Sequence, residues 1–342
     1  MDVSERESRM VAIATKAVQE KIESTGKCVR YYHSDLLKAT TRGGLAIALK
    51  SVEPRHLEKI AHDSGIEAAR LVAFRIRENL LEYYELLRKA EVPVSDLYSI
   101  EVDISPDDVV LVEVSKDAGE DLRTILQKHS EHATRHISEV IHAIKGVLHN
   151  PMLGIDTNPA NFCLTKGDGC GWADLHFVDL FPPMFLNKDG VYLVGFPQPE
   201  CRLAECNKDR YYTDKGALRI LRFNLMRINS GFEEEFLHAL QNSMDTCHAR
   251  ELIDFFMSLP DQKALTLLRD GKKDDVCALI MERDQFKIDD LREIAFRILP
   301  NNPAILDELF KLTMMNFLIP EEERKEKLQT FKCLLVSEVC KL

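Results

Sequence analysis

The pattern of apolar and polar positions changes period several times along the chain, and each change marks an element. Val11, Ala14, Ala17, Val18 and Ile22 fall at helical spacing, so Val3 to Thr25 reads as a helix that Gly26 would stop. From Cys28 the spacing becomes that of extended chain. Val29, Tyr31, Leu36 and Leu37 lead to Arg42-Gly43-Gly44, and Leu45-Ala46-Ile47-Ala48-Leu49-Lys50 follows. Two glycines between two extended runs predict a hairpin, because glycine takes the positive φ of a tight turn at no steric cost. Glu53 to Ala90 returns to the helical period, with Ile76, Leu80, Tyr84 and Leu87 as its stripe and a break at Ser64-Gly65. Val92-Pro93-Val94 ends that stretch. Two strands are predicted next, near Leu97 to Val102 and Val109 to Val114, across a Ser105-Pro106-Asp107-Asp108 turn.

Beyond Gly119 the helical period dominates, with Ile137, Val140, Ile141, Ile144 and Leu148 on one face. Asn150 to Thr213 is rich in loops and holds two short strand-like runs, Phe162-Cys163-Leu164 and His176-Phe177-Val178. From Asp214 onward the chain reads as helix. Ser230-Gly231-Phe232-Glu233 fits a capping box, and Leu291, Ile294, Ala295 and Ile298 form a further stripe. The order predicts an α+β chain. A helix occupies 1–27, a small antiparallel-sheet lobe 28–115, and a mainly helical lobe 116–342, with chemistry-bearing loops at 150–185.

Composition narrows the class. Apolar residues make up 45% of the 342, enough for a sizeable core. No apolar run approaches the roughly 18 residues of a membrane span, and the charged N-terminus lacks a signal-peptide core. Nine irregularly spaced cysteines suit free thiols, so a cytoplasmic location is expected. A formal charge of −11 argues against non-specific binding to nucleic acid or to an anionic membrane. Cys163, Cys170, Cys201 and Cys206 are spaced more widely than structural zinc knuckles, and free or buried thiols are the simpler reading.

The informative residues are Asp156 and Asn161, five apart in a loop before one apolar strand, and Asp179 after another. Phosphoryl transfer needs such a set. One carboxylate takes the proton of the attacking hydroxyl, while an amide oxygen and a second carboxylate hold Mg²⁺ against the nucleotide phosphates. Here the chain resembles the protein-kinase-like superfamily, and more closely its branch of aminoglycoside and choline kinases. In that pattern Asp156 is the catalytic position, and Asn161 and Asp179 are the metal positions.

The resemblance spans about residues 28 to 185 and implies a bilobal kinase-like fold. It also implies that Lys50 grips the α- and β-phosphates and that Glu82, before the Val92-Pro93-Val94 turn, pairs with it; Glu78 and Glu85 share that helix face. Adenine would meet the backbone near Glu113, Val114 and Ser115. Gly154 stands where the family usually has His, so another group must support the catalytic loop. The expected activity is ATP- and Mg²⁺-dependent transfer to a hydroxyl of a small molecule, with GTP as the other candidate nucleotide. A catalytically inactive module that binds a nucleotide or a partner is the alternative.

Overall fold

The computed structural model describes residues 3–24, 28–30, 34–166, 172–183, 201–300, 302, 304–308 and 321–342. They fall into two compact units: residues 1–132 with 139–196, and residues 133–138 with 197–342.

The first unit is built on an antiparallel sheet. Its strands are β1 (Ile22–Ser24), β2 (Val29–Arg30), β3 (Ser34–Thr41), β4 (Ala46–Val52), β5 (Leu97–Ile104) and β6 (Val109–Lys116). They run in the order β1-β3-β4-β6-β5, with β2 also paired to β3. The predicted hairpin is β3–β4, and Gly44 takes φ 87 in its turn. Alternation along the strands divides the sheet into two faces. Leu37, Ala39, Ile47, Leu49, Val110, Val112 and Val114 line one face and pack with Met10, Ile13 and Ala14 of helix α1 (Val3–Val18). Lys50 and Glu113 carry the opposite parity and stand on the other face.

Helix α1 stops seven residues before the expected end. Gln19 has φ 56, and Ile22 to Ser24 pair with β3 as an edge strand. Ile22 fits the helical stripe by spacing, yet it is buried in the sheet, where its neighbours' backbone groups find ladder partners. The expected stop, Gly26, lies outside the described residues. The long helical stretch is two helices, α2 (Pro54–Ser64) and α3 (Ile66–Lys89), parted at Gly65 with φ 90.

After β6 come β7 (Glu120–Asp121), α4 (Leu122–Lys128), α5 (Ala133–Ala143) and α6 (Lys145–Leu148). The hairpin β8 (Phe162–Lys166) and β9 (Trp172–Phe177) then joins β7 in a second sheet. Gly119, at φ 95, sits so close to β8 that an added Cβ would stand 2.2 Å from the Leu164 carbonyl oxygen. No other residue type fits that approach.

The second unit is helical: α7 (Cys201–Tyr212), α8 (Asp214–Ile228), α9 (Phe232–Ser243), α10 (Thr246–Met257), α11 (Pro260–Arg269), α12 (Lys273–Met281), α13 (Ile288–Ile298) and a final helix, Glu321–Lys341. Helix α7 lies in the stretch expected to be loop. The capping box is not formed: Gly231 caps α9 with no side-chain bond. Glu233 instead accepts from Arg222 (2.8 Å), Arg297 (2.7 Å) and Gln262 (2.7 Å). Arg222 has no exposed surface and also reaches Asp261 at 2.7 Å. Burial alone would raise the Glu233 and Asp261 pKa values, but the arginines outweigh it and hold both below the usual carboxylate range. No described helix is long and apolar enough to cross a membrane.

Candidate active site

The hairpin β8–β9 brings the two ends of the predicted constellation together. Phe162 and Phe177 face each other across the strands with ring centroids 5.2 Å apart, and both are buried. Asn161 immediately precedes β8 and Asp179 follows β9 by two residues, so pairing the strands pairs these side chains. The Val178 N–H donates to the Asn161 carbonyl at 2.9 Å and closes the register. Asn161 Nδ2 then lies 3.1 Å from the Asp156 carbonyl oxygen and 3.5 Å from Asp179 Oδ2. Lys50 Nζ, arriving from β4, lies 3.5 Å from Asp179 Oδ1. Lys50, Asp156, Asn161 and Asp179 thus belong to one connected cluster, all within the first unit.

The loop carrying Asp156 is tied from three directions. Asp156 Oδ1 accepts from the Asn158 N–H (3.1 Å), which fixes the carboxylate in an Asx turn. Asn158 Oδ1 accepts from Arg123 Nη2 (2.9 Å) on α4. Behind the loop, the Tyr83 hydroxyl of α3 donates to the Gly154 carbonyl at 2.8 Å, and both residues are buried. Tyr83 thus supports the loop from behind at Gly154. No local signal marks it, because its partner lies 71 residues away. The hairpin is itself anchored to the Val92-Pro93-Val94 turn: the Phe177 N–H donates to Pro93 O (2.8 Å), and the Ser95 N–H to Phe177 O (3.2 Å).

Burial works against the Lys50 charge, but Glu113 and Asp179 more than offset it, so its pKa lies above the ordinary lysine value and it is an ammonium at neutral pH. Glu113 is pushed above the usual carboxylate range, chiefly by burial; Lys50 opposes that shift and Asp179 adds to it. Burial pushes the Cys163 thiol up to about 12, with Asp121 adding to it, so it is neutral and a poor metal ligand. Cys170 lies outside the described residues, as does the Cys201 side chain.

Two of the expected roles do not match the geometry. The carboxylates acting on Lys50 are Glu113, Asp179 and Glu53, and Glu82 is not among them. The inward side of α3 is Ile76, Asn79, Leu80, Tyr83 and Leu87. Glu78 and Glu85 are exposed and turn to Arg75 (3.3 Å) and Arg88 (3.9 Å). Nor is the backbone of Glu113, Val114 and Ser115 open to a nucleobase. β6 is an interior strand, and these three residues pair with β4 on one side and β5 on the other. The ladder ends at Lys116, and the backbone beyond it is still bonded: the Asp117 N–H donates to the Ala46 carbonyl at 3.1 Å and the Gly119 N–H to Asp117 Oδ1 at 3.1 Å. There Lys38 Nζ braces the turn through Asp117 Oδ1 and the Gly119 carbonyl, at 2.8 Å each.

The cluster's donors fit Mg²⁺. Asn161 turns its Nδ2 to the Asp156 carbonyl and the Asp179 carboxylate, and its amide oxygen is the hard donor it would offer a metal. Magnesium usually takes one or two protein oxygens and completes its octahedron with water and phosphate. Among the described residues no three His, Cys, Asp or Glu side chains form a metal-holding group.

The first unit thus joins an antiparallel sheet carrying a half-buried lysine to a hairpin that brings an Asn and an Asp together, in a chain that is α+β as a whole. Among solved structures the chain is similar to WaaP in complex with acyl carrier protein, at 13% identity over 68% of this chain and 81% of that one, with a TM-score of 0.37. It is also similar to the MAP kinase LmaMPK10 from Leishmania major, at 12% identity over 98% and 91%, TM-score 0.37. A third similarity is to the pseudokinase domain of BIR2, an immune regulator of the RLK/Pelle family, at 14% identity over 91% and 79%, TM-score 0.35. No family model and no curated protein matches the chain.

Proposed function

We propose that the chain is an ATP- and Mg²⁺-dependent phosphotransferase acting on a hydroxyl of a small molecule. The observation that carries this reading is the double engagement of Asp179, 3.5 Å from Lys50 Nζ on one oxygen and 3.5 Å from Asn161 Nδ2 on the other. Three segments far apart in sequence deliver a cation and hard oxygen donors to one place. That combination suits a metal-bound polyphosphate.

In this reading Lys50 holds the nucleotide phosphates by charge. Asn161 and Asp179 hold Mg²⁺, which when bound neutralises the charge developing on the transferred group. Asp156 orients the acceptor hydroxyl and takes its proton as the new P–O bond forms. Nucleic acid and membranes are not partners. A cytoplasmic setting suits the free thiols of the described cysteines.

The test is thermal shift with ATP and GTP, each with and without Mg²⁺, followed by a transfer assay over a panel of small hydroxyl compounds. A ligand at about 100 times its Kd stabilises a fold by about 2.7 kcal/mol. A Mg²⁺-dependent shift that Asp179→Ala abolishes, with transfer that Asp156→Asn abolishes, is the expected result. Binding without transfer to any acceptor would make the chain a nucleotide-binding module. No shift with either nucleotide would overturn the reading.

A further inference from the structure

We propose that Glu113, on the strand beside Lys50, is the positioning residue that fixes this lysine, so that the phosphate clamp is completed inside the sheet and does not depend on α3. The proposal rests on the phosphotransferase reading for what the lysine grips, but not for the pairing itself.

Three observations carry it. Lys50 and Glu113 are register partners in the β4–β6 ladder. Directly paired residues project on the same face with Cβ atoms about 4.5–5.5 Å apart, within easy reach of a lysine and a glutamate. Glu113 is 3% exposed, and its Oε2 has no hydrogen-bond partner. An unpaired buried carboxylate oxygen is costly, and the ammonium opposite is the group that can offset it. Finally, α3 supplies no competitor: Glu78 and Glu85 are turned outward to arginines, and Glu82 does not act on Lys50.

The placement has a mechanical consequence. A glutamate on a mobile helix lets that helix switch the lysine on and off. Glu113 sits on a strand hydrogen-bonded on both sides, so its position relative to Lys50 is set by the ladder. Asp179 approaches the same ammonium from the hairpin. The lysine thus faces one carboxylate whose place the ladder sets and a second, at 3.5 Å, that the hairpin brings.

The experiment uses the full chain with Glu113→Gln, Glu82→Gln and Lys50→Met, singly and in the two lysine-containing pairs. In thermal melting, Glu113→Gln with Lys50→Met should melt no lower than the worse single variant, while the shifts of Glu82→Gln and Lys50→Met should add. Additive shifts for Glu113, or coupling that belongs to Glu82 instead, would overturn the proposal. If Glu113→Gln alone does not fold, refolding on addition of Lys50→Met supports the pairing, and failure to refold overturns it. In nucleotide binding, Glu113→Gln should raise the Kd for Mg-ATP about tenfold, and Glu82→Gln should leave it within about twofold. A wild-type chain that binds no nucleotide sinks the phosphotransferase reading, while the melting cycle still decides the pairing.

Discussion

Tyr83→Phe isolates the support under the catalytic loop. The substitution keeps the ring, which is 4% exposed, and with it the packing against the rest of α3's inward side. It removes only the hydroxyl that donates to Gly154 O at 2.8 Å, two residues before Asp156. The bond itself is worth about 1 kcal/mol net, and a buried carbonyl left without a donor costs up to about 3 kcal/mol. At roughly 2–4 °C per kcal/mol for a unit of this size, the variant should melt several degrees lower in calorimetry. Under the proposed function, catalysis should suffer more than stability. A displacement of about 1 Å in a positioned group can cost about 100-fold in rate. Because Lys50 and Asp179 are untouched, kcat should fall while the nucleotide Kd holds. A variant that melts with the wild type and keeps its kcat would refute the idea that Tyr83 props the loop.

Three further outcomes follow from the packing. Asp261→Asn leaves Arg222, which has no exposed surface, and Arg297 short of a counter-charge, and should cost about 3–5 kcal/mol in urea denaturation. Asp289 is held down to about 2 because Arg210, Arg292 and Arg219 outweigh its burial. Its folded pKa lies below its unfolded value, so its stabilisation is present above the ordinary carboxylate range and is lost as pH falls toward about 2; unfolding free energies from pH 5 to pH 2 should fall less steeply in Asp289→Asn. Gly119→Ala must force both a positive φ and a Cβ 2.2 Å from the Leu164 carbonyl oxygen, so it should destabilise by more than about 2 kcal/mol in the same denaturation assay.

Much of the first unit is legible because its signals are local. The Arg42-Gly43-Gly44 turn, the break at Gly65 and the two apolar runs around the Asp156–Asp179 loops each announce themselves within a few residues. What is not legible depends on partners distant in sequence. Residues 109–115 are all buried, so nothing in the run says where the strand ends. That is why the backbone of Glu113, Val114 and Ser115 reads as open in the sequence although it is paired on both sides in the sheet. Ile22 satisfies a helical stripe and a strand equally well. Glu82 has the right distance from the Val-Pro-Val turn, but helical phase cannot separate it from Glu78 and Glu85, and none of the three acts on Lys50. The charges of α8, α9, α11 and α13 look like solvated faces until the helices pack and bury Arg222, Asp261 and Glu293 together.

The supports of the site divide between two frameworks. Lys50 and Glu113 belong to the sheet and move only with it. Asp156 hangs on Tyr83 of α3, on Arg123 of α4 and on its own turn. The hairpin that carries Asn161 and Asp179 is bound to the Val92-Pro93-Val94 segment at the end of α3. A displacement of α3 would therefore reach Asp156, Asn161 and Asp179 before it reached Lys50. Under the proposed phosphotransferase function, nucleotide affinity should be the most robust property of the site and the transfer step the most sensitive one. Substitutions along the inward side of α3 should therefore lower kcat at nearly constant nucleotide Kd.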